Sequence, residues 1–317
     1  MADSEPYVRD DVRGFLDFLK AMDRPQVHEL PLAEARAAPK VMGELADAPP
    51  RDIAVVRDLA CPGPAGTIPL RLFDARAERG PGPVIVFFHG GGFVIGDLDS
   101  YASLCSEIAA ETGLPVVSVD YRLAPENPFP AAPDDCETAA RWVAGSPNGL
   151  GLEVTGLVPM GDSAGGNLTI VVCAALAADP AAVPVVAQVP IYPLAGPIAH
   201  HESFRRFGAG YFLTAEVMGW FTASYAGDES HPRAYPLLEA DHSRTPPTVV
   251  LTAGLDPLRD SGREYAAHLA QQGVDVALFE ARGMIHGFVT MRKAMPSGLA
   301  DLRRVYAALK VMLDHPR

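Results

Sequence analysis

Apolar residues recur every three to four positions in two stretches near the start of the chain, with charged residues between them. This spacing predicts helices over residues 7–22 and 31–45, and Pro49 and Pro50 end this part of the chain. Because both helices precede any β pattern, they must pack on something that comes later. They form either an arm packed on the core or a lid over a site.

Short apolar runs bounded by turn signals begin at about residue 53. Residues 53–56 and 68–73 flank a turn rich in proline and glycine, which predicts a β-hairpin. The run Val84–Phe88 is continuously apolar, as expected for a strand buried on both faces. Further runs alternate with helical patterns, so we predict an α/β fold whose doubly wound sheet of eight strands is mostly parallel with an antiparallel start. The remaining predicted strands are 116–119, 157–160, 185–189, 248–251 and 274–279, and the predicted helices are 101–112, 133–144, the segment after residue 163, 261–271 and 299–313.

One long stretch, residues 192–246, carries several aromatic residues but no strand pattern. An insertion of this length in a compact domain is usually functional. We interpret residues 1–50 and 192–246 as two parts of a helical cap, and residues 51–191 and 247–317 as the domain that carries the sheet. The alternative is that the insertion is a peripheral helix pair with a small core of its own.

Composition excludes several classes of function. With 317 residues, 48% hydrophobic and 21% charged, the chain is typical of a globular protein. A net charge of −13 argues against nucleic-acid binding, which needs clustered lysine and arginine. The four cysteines are far apart, the N-terminus has no secretory pattern, and no run approaches the length of a membrane span. We therefore expect a cytoplasmic protein with no metal, no cofactor and no membrane partner.

The candidate chemistry starts at Gly161–Gly166, which reads Gly-Asp-Ser-Ala-Gly-Gly between a predicted strand and a predicted helix. The G-x-S-x-G pattern in that context predicts a nucleophile elbow, a tight turn that presents a serine hydroxyl at the edge of the sheet. Ser163 is therefore the candidate nucleophile. Ala164 begins the helix, where unpaired backbone N–H groups suit a developing oxyanion.

A glycine run follows the strand Val84–Phe88, in the order His89, Gly90, Gly91 and Gly92. Backbone N–H groups that no side chain covers are what an oxyanion hole requires, so Gly91 and Gly92 are candidate donors together with Ala164. His89 and Gly90 are expected to support this loop, His89 by hydrogen bonding. The alternative is a turn that merely needs glycine for its backbone angles.

A serine nucleophile needs a base and an acid that orients it, in the chain order Ser, Asp or Glu, His. Asp256 follows a predicted strand at the edge where open α/β sheets bind ligands, whereas the competing Asp260 suits the N-cap of the next helix. His286 lies in a glycine-flanked segment after the last predicted strand, and His89 is its main rival. We predict a triad of Ser163, His286 and Asp256 that works without a cofactor.

These segments resemble the hormone-sensitive-lipase-like (bacterial family IV) carboxylesterases of the α/β-hydrolase fold. The resemblance implies an eight-stranded sheet with helices on both faces, a cap built from the N-terminus and the insertion, short acyl esters as substrates, and a homodimer. It also implies that Asp162 and Glu126 support the site by hydrogen bonds without performing the chemistry. The matching segments are His89–Gly92, Asp120–Glu126, Gly161–Gly166, Asp256–Asp260 and His286–Phe288.

The leading hypothesis is a serine carboxylesterase for small, short-chain esters. Two alternatives stay open, an amidase or aminoacyl-peptidase on the same fold and a ligand-binding relative without catalysis. Because a compact capped pocket limits ligand volume, we predict that the rate falls beyond about six to eight acyl carbons. The residues predicted to line the substrate pocket are Phe93, Phe204, Tyr211, Phe212, Trp220, Met284, Ile285 and Phe288.

Overall fold

The computed structural model of the chain describes residues 5–314, so the first four residues of the predicted segment 1–50 and the last three of 247–317 lie outside it. Within the described part, eight strands form one sheet. The strands are β1 (Val55–Gly63), β2 (Gly66–Asp74), β3 (Gly82–Phe88), β4 (Val116–Val119), β5 (Val154–Asp162), β6 (Val189–Ile191), β7 (Thr248–Leu255) and β8 (Val276–Ile285).

The strand order is β1-β2-β4-β3-β5-β6-β7-β8. The pairs β1–β2 and β2–β4 are antiparallel, and every later pair is parallel. This confirms the predicted mostly parallel sheet with an antiparallel start. The carboxyl ends of β3, β5, β7 and β8 consequently meet at one edge, where the predicted site residues follow them.

Most predicted strands differ from the observed ones in their bounds, with β1, β5 and β7 longer than predicted. Two differences change where residues lie relative to the sheet. Residues 185–188 do not form a continuous ladder, because Val185 and Gln188 make only isolated bridges to neighbouring segments, and β6 starts at Val189. Strand β8 continues to Ile285, through residues that we expected in a loop. Apolar periodicity reports burial, and it does not by itself report which buried residues pair.

Helices cover both faces of the sheet, as predicted. On one face Ile85 and Phe87 of β3 pack with α3 (Ala102–Thr112) and α9 (Leu299–Asp314). On the other face Val84 and Val86 pack with α4 (Ala131–Ala144) and α5 (Ala164–Ala178). The alternation along β3 follows from the two-residue period of a strand. In the described part of the chain the helices are α1 (Asp10–Met22), α2 (Leu32–Ala46), α3 (Ala102–Thr112), α4 (Ala131–Ala144), α5 (Ala164–Ala178), α6 (Glu202–Phe207), α7 (Ala215–Tyr225), α8 (Arg259–Gln271) and α9 (Leu299–Asp314), with short 3-10 turns at Val27–Glu29, Asn148–Leu150, Pro236–Leu238, Phe288–Thr290 and Pro296–Gly298.

Helices α1 and α2 belong to the N-terminal segment (residues 5–50), and α6 and α7 belong to the insertion (residues 192–246). All of the insertion is described and contains no strand, as predicted. A hydrogen bond from the Thr214 hydroxyl to Oε1 of Gln26, 3.0 Å long, joins the two parts. No helix within residues 5–314 combines the length and the apolar character needed to cross a membrane.

Candidate active site

Ser163 sits on a strained turn between β5 and α5. Its backbone angles are φ 57° and ψ −116°, outside the regions that non-glycine residues usually occupy. A Cβ added at Gly165 would lie 1.9 Å from the carbonyl oxygen of Phe88, and one at Gly161 would lie 2.4 Å from the same oxygen. Both glycines are therefore required for the close approach of helix and strands that holds the serine at the sheet edge.

The side chains of Ser163, His286 and Asp256 form a continuous hydrogen-bonded chain. Oγ of Ser163 lies 2.8 Å from Nε2 of His286, and Nδ1 of His286 lies 2.7 Å from Oδ2 of Asp256. Because an ionised carboxylate only accepts, Nδ1 carries the proton and Nε2 is free to accept from the serine hydroxyl. The other carboxylate oxygen of Asp256 accepts from the backbone N–H of Leu258 at 2.8 Å, and Asp256 is fully buried.

Three residues with candidate oxyanion donors, Gly91, Gly92 and Ala164, line the cavity together with Ser163. Gly91 and Gly92 adopt positive φ angles of 111° and 60°, and both line the cavity described below. Within residues 5–314 no acceptor is bonded to either of their N–H groups. Ala164 is the first residue of α5, so its N–H has no acceptor inside the helix. These are the three donors predicted for the oxyanion.

Asp162 holds the glycine loop in place from below the elbow. Its Oδ1 accepts from the N–H of Gly90 at 2.9 Å, and its Oδ2 accepts from the hydroxyls of Tyr101 and Tyr192, both at 3.2 Å. Burial raises the pKa of Asp162 to about 6, although the hydrogen bonds to its carboxylate act in the opposite direction and lower the pKa. The geometry agrees with a supporting position for Asp162 beside the nucleophile.

His89 is buried behind the glycine loop and does not line the cavity. Its Nδ1 bonds the carbonyl of Gly90 at 2.7 Å, and its ring stacks on Tyr121 with centroids 4.3 Å apart. The Tyr121 hydroxyl also donates to the His89 carbonyl at 2.7 Å. Burial lowers the pKa of His89 to about 4, so the ring is neutral at neutral pH. These contacts favour a role for His89 in ordering the glycine loop over a role as the base that activates Ser163.

Glu126 does not contact the candidate triad. Its carboxylate binds the guanidinium of Arg36 in α2, with distances of 2.8 and 2.5 Å, and the side chain is half exposed. Asp260 also differs from the prediction, because Leu258 occupies the N-cap position of α8 and the Asp260 carboxylate instead accepts from the N–H of Ser203 at 2.8 Å. Both carboxylates therefore fasten helices of the outer segments to the sheet domain.

A cavity of about 860 Å³ opens over Ser163 and His286. Of the predicted pocket residues, Phe93 and Phe212 line it. The sequence interpretation missed most of the wall, which comes from the N-terminal segment and the insertion, from their loops as well as from α1, α2 and α7. The missed lining residues include Leu16, Leu19, Met42, Val217, Phe221 and Tyr225.

Six predicted pocket residues do not line the cavity, and their packing explains why. Met284, Ile285 and Phe288 are fully buried in the core beneath the sheet edge. Tyr211 packs edge-to-face on Phe207, with ring centroids 5.3 Å apart. Trp220 packs against the α4–α5 side of the core, and Phe204 belongs to α6, none of whose residues reaches the cavity wall.

Among residues 5–314, one group of side chains has the types and spacing to hold a metal ion, namely His200, His201 and Glu264. It does not line the cavity. Nε2 of His201 is bonded to Glu264 at 2.9 Å, and its buried Nδ1 has no partner among the described residues. If Nε2 of His201 and Glu264 bound one ion together, the buried Nδ1 would be left without the partner that a ligating histidine normally has.

Comparison with known proteins places the chain in a family. Residues 85–290 match the family model described as alpha/beta hydrolase fold. An ethyl acetate hydrolase of Pseudomonas putida is 38% identical over 249 residues, which cover 77% of this chain and 78% of the relative. Carboxylesterase NlhH of Mycobacterium tuberculosis (strain ATCC 25618 / H37Rv) shows the same identity and coverage. The chain belongs to the hormone-sensitive-lipase-like (family IV) carboxylesterases.

Solved structures resemble this family IV member over nearly its whole length. An ester hydrolase from the metagenome of Lake Arreo, in complex with a derivative of bipyridine phosphonate, is 36% identical, with a TM-score of 0.88 over 97% of this chain and 99% of that chain. A thermostable esterase from Pseudomonas putida ECU1011 is 29% identical, with a TM-score of 0.89 over 98% of this chain and 99% of that chain. The likeness includes the N-terminal segment, which lies outside the residues matched by the family model.

Proposed function

We propose that this family IV carboxylesterase hydrolyses small, short-chain carboxylic esters through an acyl-enzyme on Ser163. The observation that carries the proposal is the hydrogen-bonded chain from Ser163 through His286 to Asp256 at the floor of the cavity. Relatives named for ethyl acetate hydrolysis and for carboxylesterase activity support the substrate class.

In the proposed acylation, Oγ of Ser163 attacks the ester carbonyl carbon while its proton passes to Nε2 of His286. The carbonyl electrons move onto oxygen, and the N–H groups of Gly91, Gly92 and Ala164 stabilise that charge. By precedent one such donor contributes about 2.7–4 kcal/mol to the transition state. The carbon–alkoxy bond then breaks, and the leaving oxygen takes the proton from His286 and departs as an alcohol.

Deacylation repeats the same steps with water as the nucleophile. His286 removes a proton from the water as its oxygen attacks the acyl carbon, and the same three N–H groups receive the oxyanion. The bond to Ser163 breaks, the serine recovers its proton from His286, and the carboxylic acid leaves. Asp256 keeps the imidazole in one tautomer and stabilises the imidazolium that forms in both halves.

We also propose that the N-terminal segment and the insertion act as a cap with the predicted boundaries, 1–50 and 192–246. The two segments, loops included, supply most of the residues that line the cavity over Ser163. At about 860 Å³ the cavity is near the upper end of the usual range for ligand pockets, so its total volume does not limit the acyl chain. We attribute the short-chain preference instead to the aromatic wall beside Gly92, made by Phe221 and by Tyr225 stacked 3.8 Å from Phe93.

The test compares Ser163→Ala with the wild type and with Ser230→Ala, a matched control at an exposed serine that does not line the cavity. We expect Ser163→Ala to lose hydrolysis of p-nitrophenyl butyrate and labelling by a fluorophosphonate probe, and Ser230→Ala to keep both. Unchanged hydrolysis by Ser163→Ala would refute the proposal. A p-nitroanilide matched to the ester separates an esterase from an amidase, since we expect only the ester to turn over well.

Two further expectations remain proposals. The four cysteines at positions 61, 105, 136 and 173 are buried and free, which supports a reducing compartment such as the cytoplasm. A homodimer is proposed from the family resemblance alone. Light scattering on the purified protein tests it, and a monomeric mass across micromolar concentrations would contradict it.

A further inference from the structure

Arg36 of helix α2 reaches from the N-terminal segment to the loops beside the candidate oxyanion hole. Its Nε donates to the carbonyl of Val94 at 3.1 Å, and its Nη2 donates to the carbonyl of Ala124 at 3.0 Å. Nη1 and Nη2 also donate to the two carboxylate oxygens of Glu126, at 2.8 and 2.5 Å. One side chain thus contacts three positions that lie 58 to 90 residues away in sequence.

The two carbonyls that Arg36 binds belong to the frame of the glycine loop. The N–H groups of Val94 and Ile95 both donate to the carbonyl of Gly91, at 3.0 Å, which closes a tight turn over residues 91–95. The N–H of Ala124 donates to the carbonyl of Phe93 at 2.9 Å and ties the turn to the neighbouring loop. Arg36 therefore holds both sides of the contact that fixes this turn.

The chemistry of the contact needs arginine. A guanidinium presents several donors in a rigid plane, so it binds a carboxylate with two bonds while its remaining N–H groups reach carbonyls. Glu126 fixes the plane, and Arg36 lowers the pKa of that carboxyl through their hydrogen bonds. A lysine at position 36 would keep the positive charge, but its ammonium group could not donate to the carboxylate and to both carbonyls in these directions.

We propose that Arg36 is a positioning residue for the reaction, because it holds the turn 91–95 so that the N–H groups of Gly91 and Gly92 face the oxyanion. This inference rests on the proposed function. It makes α2 a part of the machinery that stabilises the transition state, in addition to a wall of the cavity. Glu126 acts through Arg36 in the same way.

Other contacts hold the N-terminal segment without Arg36. Asp47, at the end of α2, is paired with Arg292, and both side chains are buried. Arg9 pairs with Asp301 at 2.8 Å at the other end of the segment. Loss of the Arg36 contacts should therefore leave the segment attached and loosen the turn 91–95 locally.

The test uses Arg36→Met, Arg36→Lys and Glu126→Gln, with Arg51→Met as the matched control. Arg51 follows α2 and pairs with Glu107 at 3.3 Å, with half of its side chain exposed and no contact with the glycine loop. For each variant, kcat and KM for p-nitrophenyl butyrate are measured together with the Ki of a trifluoromethyl ketone, whose hemiketal oxygen mimics the oxyanion.

A displacement of about 1 Å at a reacting centre costs about 10²-fold, and a loosened turn should cost part of that. We expect Arg36→Met to lower kcat roughly tenfold with KM changed by less than about twofold, and to raise the Ki of the ketone by the same factor as kcat falls. Arg36→Lys and Glu126→Gln should show smaller losses of the same pattern, and Arg51→Met should match the wild type.

Unchanged kcat and Ki in Arg36→Met would overturn the inference, as would a change confined to KM or an equal loss in Arg51→Met. If Arg36→Met does not fold, Arg36→Lys and Glu126→Gln decide by the same two readouts. Failure of the proposed function looks different. In that case either the wild type does not hydrolyse the ester, or Ser163→Ala hydrolyses it as well as the wild type does. The Arg36 comparison is made on an active wild type.

Discussion

Replacing Gly92 by alanine tests whether the glycine loop supplies the oxyanion donors. A Cβ at this position would lie 2.1 Å from Cγ of Phe221, and the φ angle is +60°. Carbon atoms in contact are usually about 3.5 Å apart or more, so the two residues must separate by about 1.4 Å. Cγ lies close to the helix α7 backbone, so we expect the loop to give way and the Gly92 N–H to leave its position.

The size of the effect follows from two separate costs. Loss of one oxyanion donor lowers kcat by about 10²–10³-fold, which is about 2.7–4 kcal/mol of transition-state stabilisation. The left-handed backbone angle adds about 1–2 kcal/mol to the cost of folding for an alanine. Gly273→Ala isolates this second cost, because Gly273 has φ +79° and no atom within 4 Å of an added Cβ.

The assay measures kcat on p-nitrophenyl butyrate and urea unfolding for Gly92→Ala, Gly273→Ala and the double variant Gly92→Ala/Phe221→Ala. We expect Gly273→Ala to lose stability but keep kcat, and Gly92→Ala to lose both. Removing the Phe221 ring opens space for the new Cβ, so the kcat of the double variant should be at least about tenfold higher than that of Gly92→Ala. This gain is only part of the 10²–10³-fold loss expected for Gly92→Ala.

A wild-type kcat in Gly92→Ala would refute the reasoning, since the N–H would then not be needed where the loop holds it. Loss of kcat in Gly92→Ala without recovery in the double variant would also count against it. In that case the crowding by Phe221 would not be what displaces the donor.

Three further predictions concern the acids and the pocket. Asp256→Asn should lower kcat about 10⁴-fold with little change in KM, because the neutral amide can donate to the histidine and hold it in the wrong tautomer. A loss below tenfold would argue against the triad. Burial raises the pKa of Asp162 from 3.8 to about 6, so the native chain binds more protons than the unfolded chain between these values and loses stability as pH rises through them. Asp162→Asn lacks this titration. Its free energy of unfolding in urea, relative to that of the wild type, should therefore rise by about 1.4 kcal/mol between pH 5 and pH 8. A difference that stays constant with pH would show that the pKa of Asp162 is not raised. Across p-nitrophenyl esters from acetate to laurate the rate should fall beyond about six to eight acyl carbons, and Phe221→Ala should move the optimum to longer chains, while a maximum at laurate in the wild type would contradict the aromatic wall.

The positions of Ser163, Asp256 and His286 could be predicted because each follows a strand in a fixed chain order. In a parallel sheet the carboxyl ends of the strands share one edge, so residues far apart in sequence meet there. Short-range signals, the glycines around Ser163 and the glycine run after His89, then select the positions. The relative positions of these three residues depend on the sheet, and the sheet could be predicted from the apolar runs.

The cavity wall could not be predicted in the same way. Trp220 and Phe221 are neighbours on α7 and both pack against the core, but only Phe221 also lines the cavity, which the rotation of the helix decides. Met284 and Ile285 directly precede His286 in sequence, but they belong to β8 and are fully buried in the core. Helix rotation depends on packing between distant elements, which no local pattern reports.

Ion pairs between residues far apart in the chain could not be predicted from the sequence either. The family resemblance implied that Glu126 supports the site by hydrogen bonds, but it did not indicate the partner. That partner is Arg36, which lies 90 residues earlier in a helix predicted only as an arm or lid. The pairing links two segments whose relative position depends on the whole fold. It gives the N-terminal segment a contact with the oxyanion loop that its own amphipathic pattern does not indicate.

The most direct test of an acyl-enzyme on Ser163 is mass spectrometry of the protein quenched in acid during turnover of p-nitrophenyl butyrate. We predict a fraction of the protein heavier by one butyryl group, with the added mass on the peptide that contains Ser163 and none in Ser163→Ala. A butyryl group on another residue, or full hydrolysis by Ser163→Ala, would contradict the proposed mechanism.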